Sequence, residues 1–315
     1  CVFTYVGEND EYRWHGEMKR EVEFLKSKGT VARYSEEKGQ PHRLETLAGP
    51  SAEVQVVRLE RGKRPVRKRD RVAGEEPLEI RVGGPGEPLT QVAVTMRTPG
   101  HDDELAAGFL FSEGILPGRD AISSIEPGDN SVSLTLTAEA SPDLSAQTRH
   151  FYLTSSCGVC GKASVDALVA AGCPVLPRDT AKLRASVLHG LPDALRATQA
   201  VFDRTGGLHA AGLFDFTGAL KLVREDVGRH NAVDKLIGRH VLDGAVPLRD
   251  SILMVSGRVS FELVQKALMA GIPVLAAVGA PSSLAVETAL RFGMTLAGFV
   301  RDGRFNIYAG EHRLE

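Results

Sequence analysis

The sequence predicts an α/β protein in which a mixed sheet is flanked by helices, with a smaller β-rich subdomain ahead of it. Three observations carry this reading. In the C-terminal third, apolar β-branched runs at 252–255, 272–278 and 295–301 alternate with amphipathic runs at 260–270 and 284–292. That βαβαβ order implies parallel strands joined by helical crossovers. Asp302-Gly303 then suits a two-residue hairpin turn into 304–308, which adds an antiparallel strand. Upstream, 77–82 and 91–97 read as two strands joined by a Gly/Pro-rich turn through Pro88.

The chain has 315 residues, long enough for one or two domains, with 43% hydrophobic and 25% charged residues, as in ordinary globular proteins. A net charge of −2 argues against a general nucleic-acid binder. No apolar run approaches the length of a membrane span, and no secretory leader is read at the N-terminus, so the cytoplasm is the expected compartment. Residues 1–50 are highly charged with poor periodicity and read as a loose extension or a misassigned start. Residues 51–150 form the expected β-rich subdomain and 151–315 the α/β domain.

Taken in order, a basic run from Arg61 to Arg71 suits a solvated arm or edge strand, or a dock for an acidic partner or phosphate. Thr98-Pro99-Gly100 ends the second strand, and Asp102, Asp103 and Glu104 favour the first turn of a short helix that buries Leu105, Phe109 and Leu110 and ends near Gly114. Residues 132–137 alternate as a strand. Residues 180–200 are amphipathic and helical, with an interruption expected at Gly190-Leu191-Pro192 and the apolar side continued by Leu195 and Phe202.

The thiol pair lies in Ser155-Ser156-Cys157-Gly158-Val159-Cys160-Gly161-Lys162, where strand-like residues 150–154 hand over to a helical pattern. At a helix start, free backbone N–H groups, the helix dipole and the Lys162 cation favour a thiolate. Three chemistries suit such a pair. Structural zinc would need further ligands from Cys173, His209 and His230, which lack the usual spacing. A thioredoxin-like redox pair would sit in a first βα unit rather than mid-chain. In the third, a sulfur relay, one thiolate carries a sulfane sulfur as a persulfide. The pattern also invites comparison with zinc deaminases, but His209-Ala210-Ala211 lacks the glutamate of their H-x-E motif, which argues against deamination.

Two further clusters stand out. Residues 206–212 are glycine-rich around His209 and could line a pocket. Residues 224–231 (Arg224, Glu225, Asp226, Val227, Gly228, Arg229, His230, Asn231) pack ionisable groups between an expected strand at 219–223 and an expected helix at 232–236, which suits a site. The turns Ser256-Gly257-Arg258 and Gly279-Ala280-Pro281-Ser282-Ser283 follow strands and precede helices, where open α/β sheets bind anionic ligands.

Several of these stretches together resemble the FdhD family, the formate dehydrogenase accessory sulfurtransferases. They are Glu75-Glu76-Pro77-Leu78-Glu79-Ile80, Met96 to Pro99, Leu105 to Leu110, Ser112 to Gly114, Ser155 to Lys162, Gly206 to Ala211, Arg224 to Lys235, Ser256 to Leu263, and 270–275 with 280–285. The resemblance runs from about residue 52 to the C-terminus. It implies a cytidine-deaminase-like core, a homodimer, and a sulfur carrier. That carrier would accept sulfur from a cysteine desulfurase and deliver it to the Mo-bis(molybdopterin guanine dinucleotide) cofactor before insertion into formate dehydrogenase. It further implies that Cys157 bears the persulfide, that Cys160 assists, and that Phe299, Val300, Arg301, Asp302, Gly303 and Arg304 bind the cofactor. Ser256, Gly257, Arg258, Ser282 and Ser283 are expected to join them by offering helix N-termini and small-residue turns to the cofactor's phosphates. The alternative is a cofactor-holding or zinc-stabilised chaperone whose thiols are structural; no resident metal is expected otherwise.

Overall fold

The structure is a computed structural model that describes residues 49–140, 168, 173–177 and 182–315. Cys157, Cys160 and the strand and helix expected around them lie outside the described residues.

Among the described residues, three sheets organise the chain. β1 (Ser51–Arg58) and β2 (Val66–Ala73) form an antiparallel ribbon. β3 (Glu76–Gly83), β4 (Thr90–Arg97), β5 (Ile122–Gly128) and β6 (Ser131–Leu136) form a four-stranded sheet in the order β4-β3-β6-β5. The β3–β4 hairpin is the one expected from its alternation: Leu78, Ile80 and Val82 turn inward and are fully buried. α1 (Asp102–Ser112) follows, and Gly114 leaves it with a left-handed φ of 74°.

The C-terminal half builds a six-stranded sheet in the order β12-β11-β10-β9-β7-β8. Its strands are β7 (His209–Asp215), β8 (Leu220–Asp226), β9 (Ser251–Val255), β10 (Val274–Ala277), β11 (Thr295–Arg301) and β12 (Arg304–Ala309). β9, β10 and β11 are parallel, whereas β7 and β12 run antiparallel to their neighbours β9 and β11. The mixed sheet flanked by helices is thus the predicted fold class. Asp302 and Gly303 both adopt positive φ, 54° and 68°, as a two-residue turn between right-twisted strands requires.

Helices cover both faces of this sheet. α2 (Ala185–Arg196) lays Leu188, Leu191 and Leu195 on Phe214, Ile252, Met254, Val274 and Ala297. On the other face, α4 (Arg229–Leu242), α5 (Phe261–Met269) and α6 (Ser283–Phe292) bury Val233, Leu236, Leu263, Ala285 and Phe292 against Leu213, Leu253, Leu275 and Leu296. α1 lies between α4 and the four-stranded sheet, so one apolar core runs from Ile80 to Leu296.

Two expectations are corrected. α2 is not interrupted at residues 190–192; it continues through Gly190 and Pro192. Proline removes one helical hydrogen bond, but the buried leucines on both sides hold the helix on the sheet across the gap. A separate short helix, α3 (Ala200–Thr205), carries Phe202. Likewise the ionisable stretch at 224–231 does not lie between elements. β8 extends to Asp226, α4 begins at Arg229, and only Val227 and Gly228 connect them. A strand can carry Arg224 and Asp226 inward because each meets an opposite charge there.

Candidate functional site

The parallel strands β9, β10 and β11 end together, and the turns beyond them are stacked by backbone hydrogen bonds. Gly279 N–H donates to the Gly257 carbonyl at 3.1 Å, and Phe299 N–H donates to the Gly279 carbonyl at 3.1 Å. Val259 N–H donates to Ala280 and Ser282 N–H to Val259. The approach is too close for side chains: a Cβ on Gly279 would sit 2.8 Å from the Gly257 oxygen, and one on Gly298 would sit 2.9 Å from Pro281. The result is a ledge whose surface is largely main chain.

Phe299 occupies this ledge with φ 54°, a conformation costly for a bulky residue. It coincides with a register shift between Gly298 and Arg301 that re-aims the end of β11. Val300 is fully buried against the α2 side of the sheet, so only its backbone can face a ligand. Arg301 and Arg304 pair across the base of the hairpin and are exposed, with Arg301 5.8 Å from the Phe299 ring centroid. Asp302, 3.9 Å from Arg301, and Gly303 form the exposed tip.

The two turns after β9 and β10 have distinct chemistry. Ser256 Oγ accepts from Ala210 N–H at 2.9 Å, and Ser282 Oγ caps α6 by accepting from Ala285 N–H at 3.2 Å. Each hydroxyl keeps its own hydrogen to donate to an anion. Arg258 and Ser283 are exposed. The structure therefore brings residues 256–258, 279 and 299 into one hydrogen-bonded edge, with Ser282, Ser283 and the Arg301–Arg304 hairpin beside it.

A cavity of about 590 Å³ opens at this edge toward α2 and α3. Ser256, Val278, Gly206, Gly207, His209 and the apolar Leu195 and Phe202 are among the residues that line it. The glycine-rich stretch around His209 thus does line a pocket. The contribution of Arg196, Gln199 and Phe202 was not legible beforehand. A usable signal is Gln199, a polar residue between two helices that is 4% exposed.

On the opposite face of the same edge lies the ionisable cluster. His209 pairs with Asp226 in the β7–β8 register. Asp226 is fully buried and accepts from Lys235 Nζ at 2.7 Å, Thr98 N–H at 3.0 Å and Gly228 N–H at 2.8 Å. Lys235 Nζ also donates to the Thr98 carbonyl at 2.7 Å. This network ties the end of β4 to the start of α4. His230 Nε2 lies 3.1 Å from Ser260 Oγ, which joins the starts of α4 and α5. Burial, helped by the Arg229 and Lys266 charges, lowers the His230 pKa to about 4, so the ring is neutral at pH 7. Burial and Arg229 lower that of His209 as well. Cys173 is buried and its thiol is pushed up to about 11, the state of an unreactive core cysteine. Among the described residues, no group of three or more His, Cys, Asp and Glu side chains is arranged to hold a metal ion.

Comparisons with known proteins agree with this fold. A crystal structure of a proposed formate dehydrogenase accessory protein from Desulfotalea psychrophila superposes with a TM-score of 0.64 over 84% of this chain and 99% of that one, at 24% identity. Sulfur carrier protein FdhD of Streptomyces avermitilis is 52% identical over 271 residues, 82% of this chain and 94% of its own. The proteins of the same name from Mycolicibacterium paratuberculosis and Sulfurisphaera tokodaii are 53% and 44% identical, over 76% and 78% of this chain and 90% and 92% of theirs. The sequence profile of the FdhD/NarQ family matches residues 73–315, from the end of the ribbon through both larger sheets. This chain therefore belongs to the FdhD/NarQ family.

Proposed function

We propose that this protein is a sulfur carrier serving formate dehydrogenase. Its cargo is sulfur from a cysteine desulfurase, and its acceptor is the molybdenum of the bis(molybdopterin guanine dinucleotide) cofactor. The observation that carries the reading is the Cys157-Gly158-Val159-Cys160 pair in a chain about half identical to proteins named sulfur carriers. The main-chain ledge, its two donor hydroxyls and the exposed Arg258, Arg301 and Arg304 support it. A nucleotide-tailed substrate presents several phosphates, and N–H groups, hydroxyls and guanidinium groups suit them.

In this mechanism the Cys157 thiolate attacks the terminal sulfur of the desulfurase persulfide. A new S–S bond forms on Cys157, the donor's S–S bond breaks, and the desulfurase leaves as a thiolate. Release needs two electrons, because the sulfane sulfur must leave as sulfide. The Cys160 thiolate supplies them by attacking the Cys157 sulfur: a Cys157–Cys160 disulfide forms and hydrosulfide departs toward the bound molybdenum. A dithiol reductant then restores both thiols. A cytoplasmic location and a homodimeric assembly complete the reading.

Mass spectrometry after incubation with desulfurase and cysteine tests the assignment. Wild type is expected to gain one sulfur on Cys157, Cys157→Ala none, and Cys160→Ala to load but not release. Sulfur loading and restored formate dehydrogenase activity in Cys157→Ala would overturn it, and stoichiometric zinc on both thiols would favour a structural pair.

A further inference from the structure

The ribbon of β1 and β2 precedes the region matched by the family profile, and neither strand pairs with a larger sheet. Both outer edges present unpaired backbone groups among the described residues. Residues 58–71 hold eight lysines and arginines against two acids, a net of +6 in a chain whose total is −2. Arg69 meets Glu53 at 3.1 Å, but Arg61, Arg64, Arg67 and Arg71 have no carboxylate partner among the described residues.

The register sorts these side chains by face. Arg67, Arg69 and Arg71 oppose Val57, Gln55 and Glu53 and lie on one side, spaced about 7 Å apart along the strand. Val54, Val56, Val66 and Val72 lie on the other side, together with Arg58, Lys68 and Asp70. Val57, Leu59 and Val66 are each more than half exposed. One face with three arginines, an opposite face with four valines beside Arg58 and Lys68, and a free edge together define what fits: a strand whose side chains alternate acidic and apolar. We propose that this ribbon docks an extended acidic segment of a partner protein as an added strand.

No aromatic side chain occurs from residue 49 to residue 73, so the ribbon has no platform on which bases would stack. A second copy pairing ribbon to ribbon would set like charges opposite each other. The root of the ribbon abuts the cavity lining: a Cβ on Gly207 would touch Ala73 at 3.4 Å, and β2 packs against α3. A docked segment would therefore hold its owner beside the cavity. The inference rests on the ribbon alone and stands or falls separately from sulfur transfer.

The test uses the full chain and a fluorescent peptide of alternating glutamate and valine, with a peptide of the same composition in two blocks and duplex DNA as comparisons. The alternating peptide is expected to bind most tightly, to weaken with salt, and to lose at least about tenfold in affinity to Arg67→Gln/Arg69→Gln/Arg71→Gln. Equal binding to the triple variant or to the blocked peptide overturns strand addition. Tighter binding to DNA makes the ribbon a nucleic-acid arm, and loss of a dimer in the triple variant by sedimentation makes it a self-association surface; either result also overturns the proposal.

Discussion

Glu104 shows how single residues on this framework depend on distant partners. It sits in the first turn of α1, 4% exposed, and receives both Nε and a terminal nitrogen of Arg224, at 2.5 and 2.7 Å, from β8. Burial alone would oppose its ionisation, yet Arg224 and His101 outweigh burial and hold its pKa down to about 2. A carboxylate whose pKa is lower when folded stabilises the native state above its ordinary value of 4.5. That contribution is lost as pH falls from 4.5 toward 2. The stability difference between wild type and Glu104→Gln, measured by urea unfolding, is expected to shrink steadily as pH falls from 4.5 toward 2, by roughly 3 kcal/mol. A difference that does not change with pH would show that the Arg224 pair is not what holds the charge.

Among elements, the crossing of α1 on α4 sets the stacking of the two larger sheets. Gly108 and Gly238 meet there with main chains in contact. A Cβ on Gly108 would lie 1.9 Å from the Asp234 oxygen, and one on Gly238 would lie 1.7 Å from the Glu104 oxygen. Neither glycine has a positive φ, so close approach rather than conformation demands them. Gly238→Ala must push the helices apart and strain the Glu104–Arg224 pair, and is expected to cost about 2–3 kcal/mol. Gly190→Ala on α2 is the control. With nothing within 4 Å of its Cβ position, it is expected to stabilise by about 0.5–1 kcal/mol through better helix propensity. Thermal unfolding of the two variants checks both signs, and equal shifts would contradict the crossing.

For the whole molecule, the proposed function divides between the described sheet edge and the thiol motif. The small-residue ledge and its arginines stand on the described fold, whereas the proposed carrier thiols belong to the segment between β6 and Leu168. Binding of the proposed cofactor and sulfur loading should then be separable. Arg258→Ala/Arg304→Ala is expected to weaken GDP binding at least tenfold, from the loss of two charge-assisted contacts, while desulfurase still loads Cys157. Calorimetry with GDP and mass spectrometry on the same variant measure the two effects. Unchanged GDP affinity would remove the ledge from the cofactor reading and leave the thiol assignment intact.

Local pattern alone determined the elements: period-two alternation in β3 and β6, the βαβαβ order of residues 251–301 and the Asp302-Gly303 turn. Each depends on neighbours within a few residues, where backbone preference and burial of one face suffice. Tertiary structure decided the rest. It carried α2 through Pro192, drew Arg224 and Asp226 into a strand, and brought Thr98 to Asp226 and His230 to Ser260 across 128 and 30 residues. The physical reason is that a buried charge or a glycine contact is acceptable only when its partner arrives from another layer. No local window contains that partner.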